Sequence, residues 1–244
     1  GTTVNLAVAP TGGTLPATVT VAEGQLTATF TYTPSAAGEA TITATMGSAT
    51  GSAKVTGVAS TSGLIINEVD YDNVGSDAAE YVELYNSSSS PISLAGYKLV
   101  LINGSGGAVY LTVDLSAAGT IAAGQYLLVG PAAIVAPTGV LKVTTTVATD
   151  VIQNGAPDGI ALIDSTAGKL VDALSYEGAL TSVTIAGLAS PVSLVEGTLL
   201  PVTVADNSAT VASLCRIPNG TDTNDAATDW AICTTLTPGA ANVK

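Results

Sequence analysis

Apolar residues recur at every second position in short runs along this chain, and that period of two restricts the fold more than any other feature. In the first part the runs are Val4–Val8, Ala17–Val21, Gln25–Thr33, Ala40–Thr45 and Ala53–Val58. Alternation puts Val19 and Val21, or Ile42 and Ala44, on one face and threonine hydroxyls on the other. Glu23-Gly24 and Pro34–Gly38 are turn signals between these runs. The stretch Leu64–Asn86 then reads as strand, acidic loop and strand, and further runs follow at Tyr97–Asn103, Ala108–Leu115, Gln125–Gly130, Val140–Thr146, Gly159–Asp164 and Lys169–Tyr176. Gly, Pro, Asn and Asp punctuate them at the short intervals of a sandwich or barrel. Ala117–Gly124 offers one short turn of helix, and no apolar stripe of helical period is longer. The pattern predicts an all-β protein.

Charge then removes whole classes of function. Only 10% of residues are charged, against roughly 25% in an average soluble domain. The net charge is −13, Arg216 is the sole arginine, and the lysines are scattered, so no basic groove for a phosphate backbone can form. Nucleic acid, unless a divalent cation bridges it, is thereby not expected as a direct partner, and an anionic membrane surface is disfavoured for the same reason. No apolar run is long enough to span a bilayer. The opening GTTVNLAV has neither an initiator Met nor a signal-like segment, which reads as the start of a processed chain or the interior of a longer one. Histidine is absent, which removes Ser-His and Cys-His nucleophile pairs and most zinc sites. A carboxylate-pair glycosidase needs no histidine, but ten aromatics are too few for the stacking platforms of a sugar cleft. The chain is expected not to be an enzyme.

The stretch VTVAEGQLTATFTYTPSAAGEATITAT resembles the later strands of a bacterial immunoglobulin-like domain. Residues 1–58 are shorter than the ~80–100 residues such sandwiches need, so one or two strands are missing and an edge is left open. The GVASTSG stretch at Gly57–Gly63 is small and polar, and the linker is placed at 59–63. Beyond it INEVDYD, AEYVELYN, LAGYKLV, GQYLLVG, DGIALID and GKLVDALSYEG, in that order, resemble a lamin-tail domain, an immunoglobulin-like module also found in secreted bacterial proteins. SLCRIPNGTDTNDAATDWAIC and TPGAAN extend the resemblance to the bacterial branch, so that it covers about residues 64–242. The resemblance implies two tandem immunoglobulin-like β-sandwich domains, the first incomplete. The second spans 64–244, with a β-rich excursion at about 178–210.

The candidate chemistry lies in the acidic stretch Leu64–Asn86. On an extended strand Glu68, Asp70 and Asp72 face one side, and Asp77 and Glu80 can fold back over a turn at Gly75 to complete an oxygen cage for Ca²⁺. The stretch is not an EF-hand, because Val74 and Tyr81 stand where ligands belong. The competing reading is that these acids cap turns and keep a sheet edge soluble. Val82 and Leu84 are core in this reading, and Tyr81, Glu83 and Tyr85 form the opposite face, which is either an exposed recognition surface or, the favoured reading, a cover over the second sheet. Cys215 and Cys233 flank an Asn/Asp/Thr-rich segment and are either a disulfide, which places the chain in an oxidising compartment, or two buried thiols. Arg216 either contacts a ligand, pairs with a carboxylate such as Asp229, or stacks on Trp230. Asp222, Asn224, Asp225 and Asp229 read as turn residues.

Two functions are compatible with these features. One is a secreted or cell-surface structural or adhesive protein that self-associates into a fibre, each incomplete sandwich completed by a donated strand, for which Gly1–Val8 is a candidate. The other is a Ca²⁺-dependent glycan- or polymer-binding module of a larger secreted hydrolase.

Overall fold

The computed structural model describes residues 1–9, 15–30, 32, 38–57 and 63–244. The chain divides into two compact units, Gly1–Ser60 and Thr61–Lys244. All but one residue of the expected linker, 59–63, lies outside the described residues, as does Val58.

The first unit holds β1 (Thr2–Ala9), β2 (Thr18–Val21), β3 (Gly38–Met46) and β4 (Ala49–Gly57) in one antiparallel sheet of order β2-β1-β3-β4. The strand expected at Gln25–Thr33 is not formed in its described part: 25–30 and 32 are irregular chain, with a bend at Leu26 and no ladder partner. The candidate donated strand, β1, lies in the middle of its own sheet, between β2 and β3. Its alternation turns Val4, Leu6 and Val8 to one face and leaves Thr3, Asn5 and Ala7 exposed. Leu6, Ala40 and Ile42 are the buried hydrophobics among the described residues here, while Leu26 is 97% exposed and Phe30 and Met46 are also open to solvent.

The second unit is a layered all-β body. Its strands are β5 (Leu64–Asp70), β6 (Tyr81–Asn86), β7 (Ile92–Ser93), β8 (Tyr97–Asn103), β9 (Ala108–Asp114), β10 (Thr120–Ile121), β11 (Tyr126–Gly130), β12 (Leu141–Thr144), β13 (Asp158–Asp164), β14 (Lys169–Tyr176), β15 (Ser213–Arg216) and β16 (Trp230–Cys233). A six-stranded sheet runs β12-β11-β6-β5-β15-β16, a four-stranded sheet runs β14-β13-β8-β9, and β10 pairs with β7. The expected short helix at Ala117–Gly124 is a 3₁₀ turn at Ser116–Ala118 that leads straight into β10. One α-helical turn, α1 (Ala226–Asp229), links β15 to β16, its N-cap Asp225 accepting from the Thr228 amide.

The main core lies between the two larger sheets. Leu64, Ile66, Val69, Val82 and Leu84 meet Leu99, Leu101, Ile160, Leu162 and Leu174 there. The intervening residues of the four-stranded sheet, Val100, Ile102, Ala161, Ile163 and Ala173, form a second apolar face. The excursion after β14 covers that face with Leu180, Val183, Ile185 and Leu194. It is not β-rich: apart from one bridge, Val183 to Val192, it is coil held by its apolar side chains. In the second unit the two larger sheets and this coil therefore stack as three layers where a sandwich has two.

The far face of the six-stranded sheet is covered by polar chemistry. A bulge at Asn67 separates the Ile66–Leu84 pair from the Glu68–Glu83 pair. It moves the inward positions from Leu64 and Ile66 to Val69 and Tyr71, and sends Glu68 outward beside Glu83. Both carboxylates are buried, because the segment after β16 folds over them. Thr237 donates to Glu68 through its amide and hydroxyl at 3.2 and 2.9 Å, and the Gly239 amide donates to Glu83 Oε2 at 2.6 Å. Tyr81 and Glu83 thus lie under this segment, and the second sheet packs against Val82 and Leu84 on the other face.

Candidate functional site

The acids of the opening stretch separate into three environments. Glu68 is structural: it accepts from Ser213 Oγ at 2.7 Å as well as from Thr237. Its neighbours Asn67, Asn219 and Asn242 form a side-chain network in which Asn67 Nδ2 donates to Glu83 at 2.8 Å and Asn242 Nδ2 donates to the Asn67 and Arg216 carbonyls at 2.9 and 3.0 Å. Burial pushes the Glu83 carboxyl up to about 8, against the lowering effect of its bonds from Asn67 and Gly239.

Asp70 and Asp72 line a separate cleft of about 310 Å³ with Val74, Tyr81, Ile134 and Leu236. Asp70 accepts from Asn73 Nδ2 at 2.7 Å, and burial, with the charge of Asp206 behind it, raises its carboxyl to about 8. Asp206, supplied by the excursion, holds the turn by accepting from the Tyr71 and Asp72 amides at 3.2 and 3.3 Å.

Asp77 and Glu80 do come together, and the third member of their group is Asp150. Gly75, at φ +98°, makes the turn that lets the loop fold back. Asp77 Oδ1 accepts from the Asn73 amide at 2.9 Å and its carbonyl accepts from the Asp150 amide at 2.7 Å, which joins the 71–80 loop to the 145–152 loop. Glu80 is fully buried, with Oε2 accepting from the Val151 and Ile152 amides at 2.5 and 3.2 Å. Its Oε1 is also buried and accepts no hydrogen bond. Desolvation, helped by the charges of Asp77 and Asp150, raises the Glu80 carboxyl to about 8. Carboxylate oxygens of the three residues lie within 4.8 Å of one another. Glu68, Asp70 and Asp72 take no part in this group.

The other acidic group surrounds Arg216, which is completely buried. Its guanidinium reaches Asp172 at 3.0 Å, Asp229 at 3.0 Å, Asp222 at 3.2 Å and Glu196 at 3.4 Å, and lies 4.9 Å from the Trp230 ring. Two of the sequence readings hold at once, the pair with Asp229 and the stack on Trp230. Burial opposes the arginine's charge, but Asp172, Asp222, Glu196 and Asp229 outweigh it and hold the guanidinium above its ordinary value. Burial and the neighbouring Asp172 push the Glu196 carboxyl upward, against the lowering effect of the Arg216 charge. Arg216 Nε donates to the Ile66 carbonyl at 2.8 Å and Asp172 accepts from the Ile66 amide at 2.6 Å, so the cluster ties β5, β14 and β15 at the bulge. Asp172, Glu196 and Asp222 also meet the geometry of a metal group, but the guanidinium is their cation.

Cys215 and Cys233 form a disulfide across β15 and β16. Alternation on β14 places Asp172 on the inner face with Leu174 and Tyr176, which was a readable sign that the sole arginine must reach it. Asp150, Asp206 and Glu196 had no such signal, because each comes from a coil segment whose path no periodicity reveals.

The lamin tail domain model matches residues 57–178, half of the chain, from just before β5 to just after β14. The chain belongs to the lamin tail domain family. This family is immunoglobulin-like, and its members are typically structural or interaction modules without catalytic activity. No curated protein matches the chain. The lamin tail domain sheet here continues past the matched residues, since β15 pairs with β5 and β16 with β15.

Proposed function

We propose that this lamin tail domain protein is a non-catalytic structural subunit of the cell exterior that self-associates into a fibre. The observation that carries the reading is the N-terminal unit: among the described residues it is one sheet whose outer strands, β2 and β4, each have a single neighbour, with Leu26, Phe30 and Met46 exposed. A sheet with open edges and uncovered apolar side chains is a template for a strand from another chain. A second copy is the simplest donor, because head-to-tail addition of identical subunits continues without closing. The disulfide supports an oxidising compartment. No helix among the described residues is long and apolar enough to cross a membrane.

Sedimentation velocity and negative-stain electron microscopy of the full chain test this. The expected result is linear polymers that grow with concentration, and their loss in a Leu26→Lys/Met46→Lys variant whose thermal melting is otherwise unchanged. A wild-type chain that stays monomeric at every concentration, or a double variant that polymerises like the parent, overturns the reading.

A further inference from the structure

We infer that Asp77, Glu80 and Asp150 form a Ca²⁺ site that locks the 71–80 loop of the lamin tail domain to its 145–152 loop. The site is independent of the fibre reading, because it lies wholly within the second unit.

Two observations combine. First, the carboxylate oxygens of the three residues lie within 4.8 Å of one another, a spread that one ion with oxygen ligands at about 2.3–2.6 Å can bridge. Second, Glu80 is fully buried and its Oε1 accepts nothing from the protein, while Oε2 is committed to the Val151 and Ile152 amides. A buried carboxylate oxygen with no donor is costly, and native structures rarely leave one unsatisfied. A cation beside Oε1 satisfies it.

The donor set selects the class of ion. It consists of carboxylate oxygens with no imidazole or thiolate, which favours a hard cation over zinc or copper. The three ligands come from two loops and include the exposed Asp150, so water completes the shell on the open side. Calcium tolerates such irregular coordination, whereas magnesium demands near-ideal octahedral geometry and gives up its waters reluctantly. Because the Asp77 carbonyl and the Asp150 amide already join the loops at 2.7 Å, the ion would fasten a junction that the backbone has begun. It would also neutralise the repulsion among the three acids.

Calorimetric titration of CaCl₂ into chelator-treated full-length chain tests the site, together with melting curves with and without Ca²⁺. One ion per chain is expected, with a dissociation constant around 10⁻⁴–10⁻³ M, the range of extracellular modules, and a calcium-dependent rise in Tm. Asp150→Asn changes an exposed side chain and should fold normally. It should weaken binding at least about tenfold, as loss of a direct ligand does, and abolish the rise in Tm. Asp114→Asn, which alters an exposed acid on β9, should bind like the parent. Absence of heat and of any shift in Tm at Ca²⁺ well above this range, unchanged binding by Asp150→Asn, or equal affinity for Mg²⁺ overturns the inference.

Discussion

At the scale of single residues, Arg216 carries the largest responsibility in the second unit. A buried guanidinium that holds four carboxylates cannot be removed without leaving their charge uncompensated. Arg216→Met should therefore cost about 3–5 kcal/mol in urea denaturation. Arg216→Lys should recover only part of that loss, because a point charge cannot serve Asp172, Asp229 and the Ile66 carbonyl together. Buried acids also set an unusual pH dependence. Glu83 and Asp70 are both raised to about 8, Glu83 from an ordinary 4.5 and Asp70 from 3.8. Between those values the folded state binds more protons than the unfolded one, so stability is greatest in acid and falls as pH rises towards 8. Melting in metal-free buffer should show a lower Tm at pH 8 than at pH 5, and a Glu83→Gln variant, whose amide can still accept from Gly239, should flatten part of that slope.

At the scale of elements, strands of the lamin tail domain were legible wherever alternation was regular. Tyr97–Asn103 and Lys169–Tyr176 begin and end where the sequence placed them. The bulge explains what was not legible. Inward residues change from even to odd numbers at Asn67, so a fixed period of two cannot follow LIINEVDY from end to end. The excursion was misread for a related reason: a segment that packs four apolar side chains onto a sheet needs no ladder of its own. In the first unit, Gln25–Thr33 had strand composition, but its described part has no ladder partner. Two element-scale tests follow from the connections that were found. Cys215→Ser/Cys233→Ser opens a crosslink between residues 18 apart and should cost about 3 kcal/mol, read as a lower denaturation midpoint. Gly220→Ala should also destabilise, since the loop is at φ +71° and the new Cβ would lie 2.6 Å from Tyr85 Cε1. That variant should alter the near-ultraviolet signal of the Tyr85–Tyr126 stack.

At the scale of the whole molecule, the all-β class was readable because nothing in the chain competes with the period of two. The candidate site was only half readable. Asp77 and Glu80 are close in sequence, and Gly75 marks the turn of the loop that carries both, but Asp150 reaches them only through the tertiary fold. The layered body also has a consequence for the order of events in synthesis. Strand β5 emerges from the ribosome early, yet its hydroxyl partner Ser213 is 145 residues later, and the donors Thr237 and Asn242 are 169 and 175 residues later. Contacts so distant in sequence form slowly, because a long loop must close before any of them stabilises the chain. Until those residues arrive, the nascent sheet presents an unpaired β5 edge and a Glu68 carboxylate without its donors. A chaperone that shields this strand should therefore raise the yield of folded protein more than one acting on the completed chain.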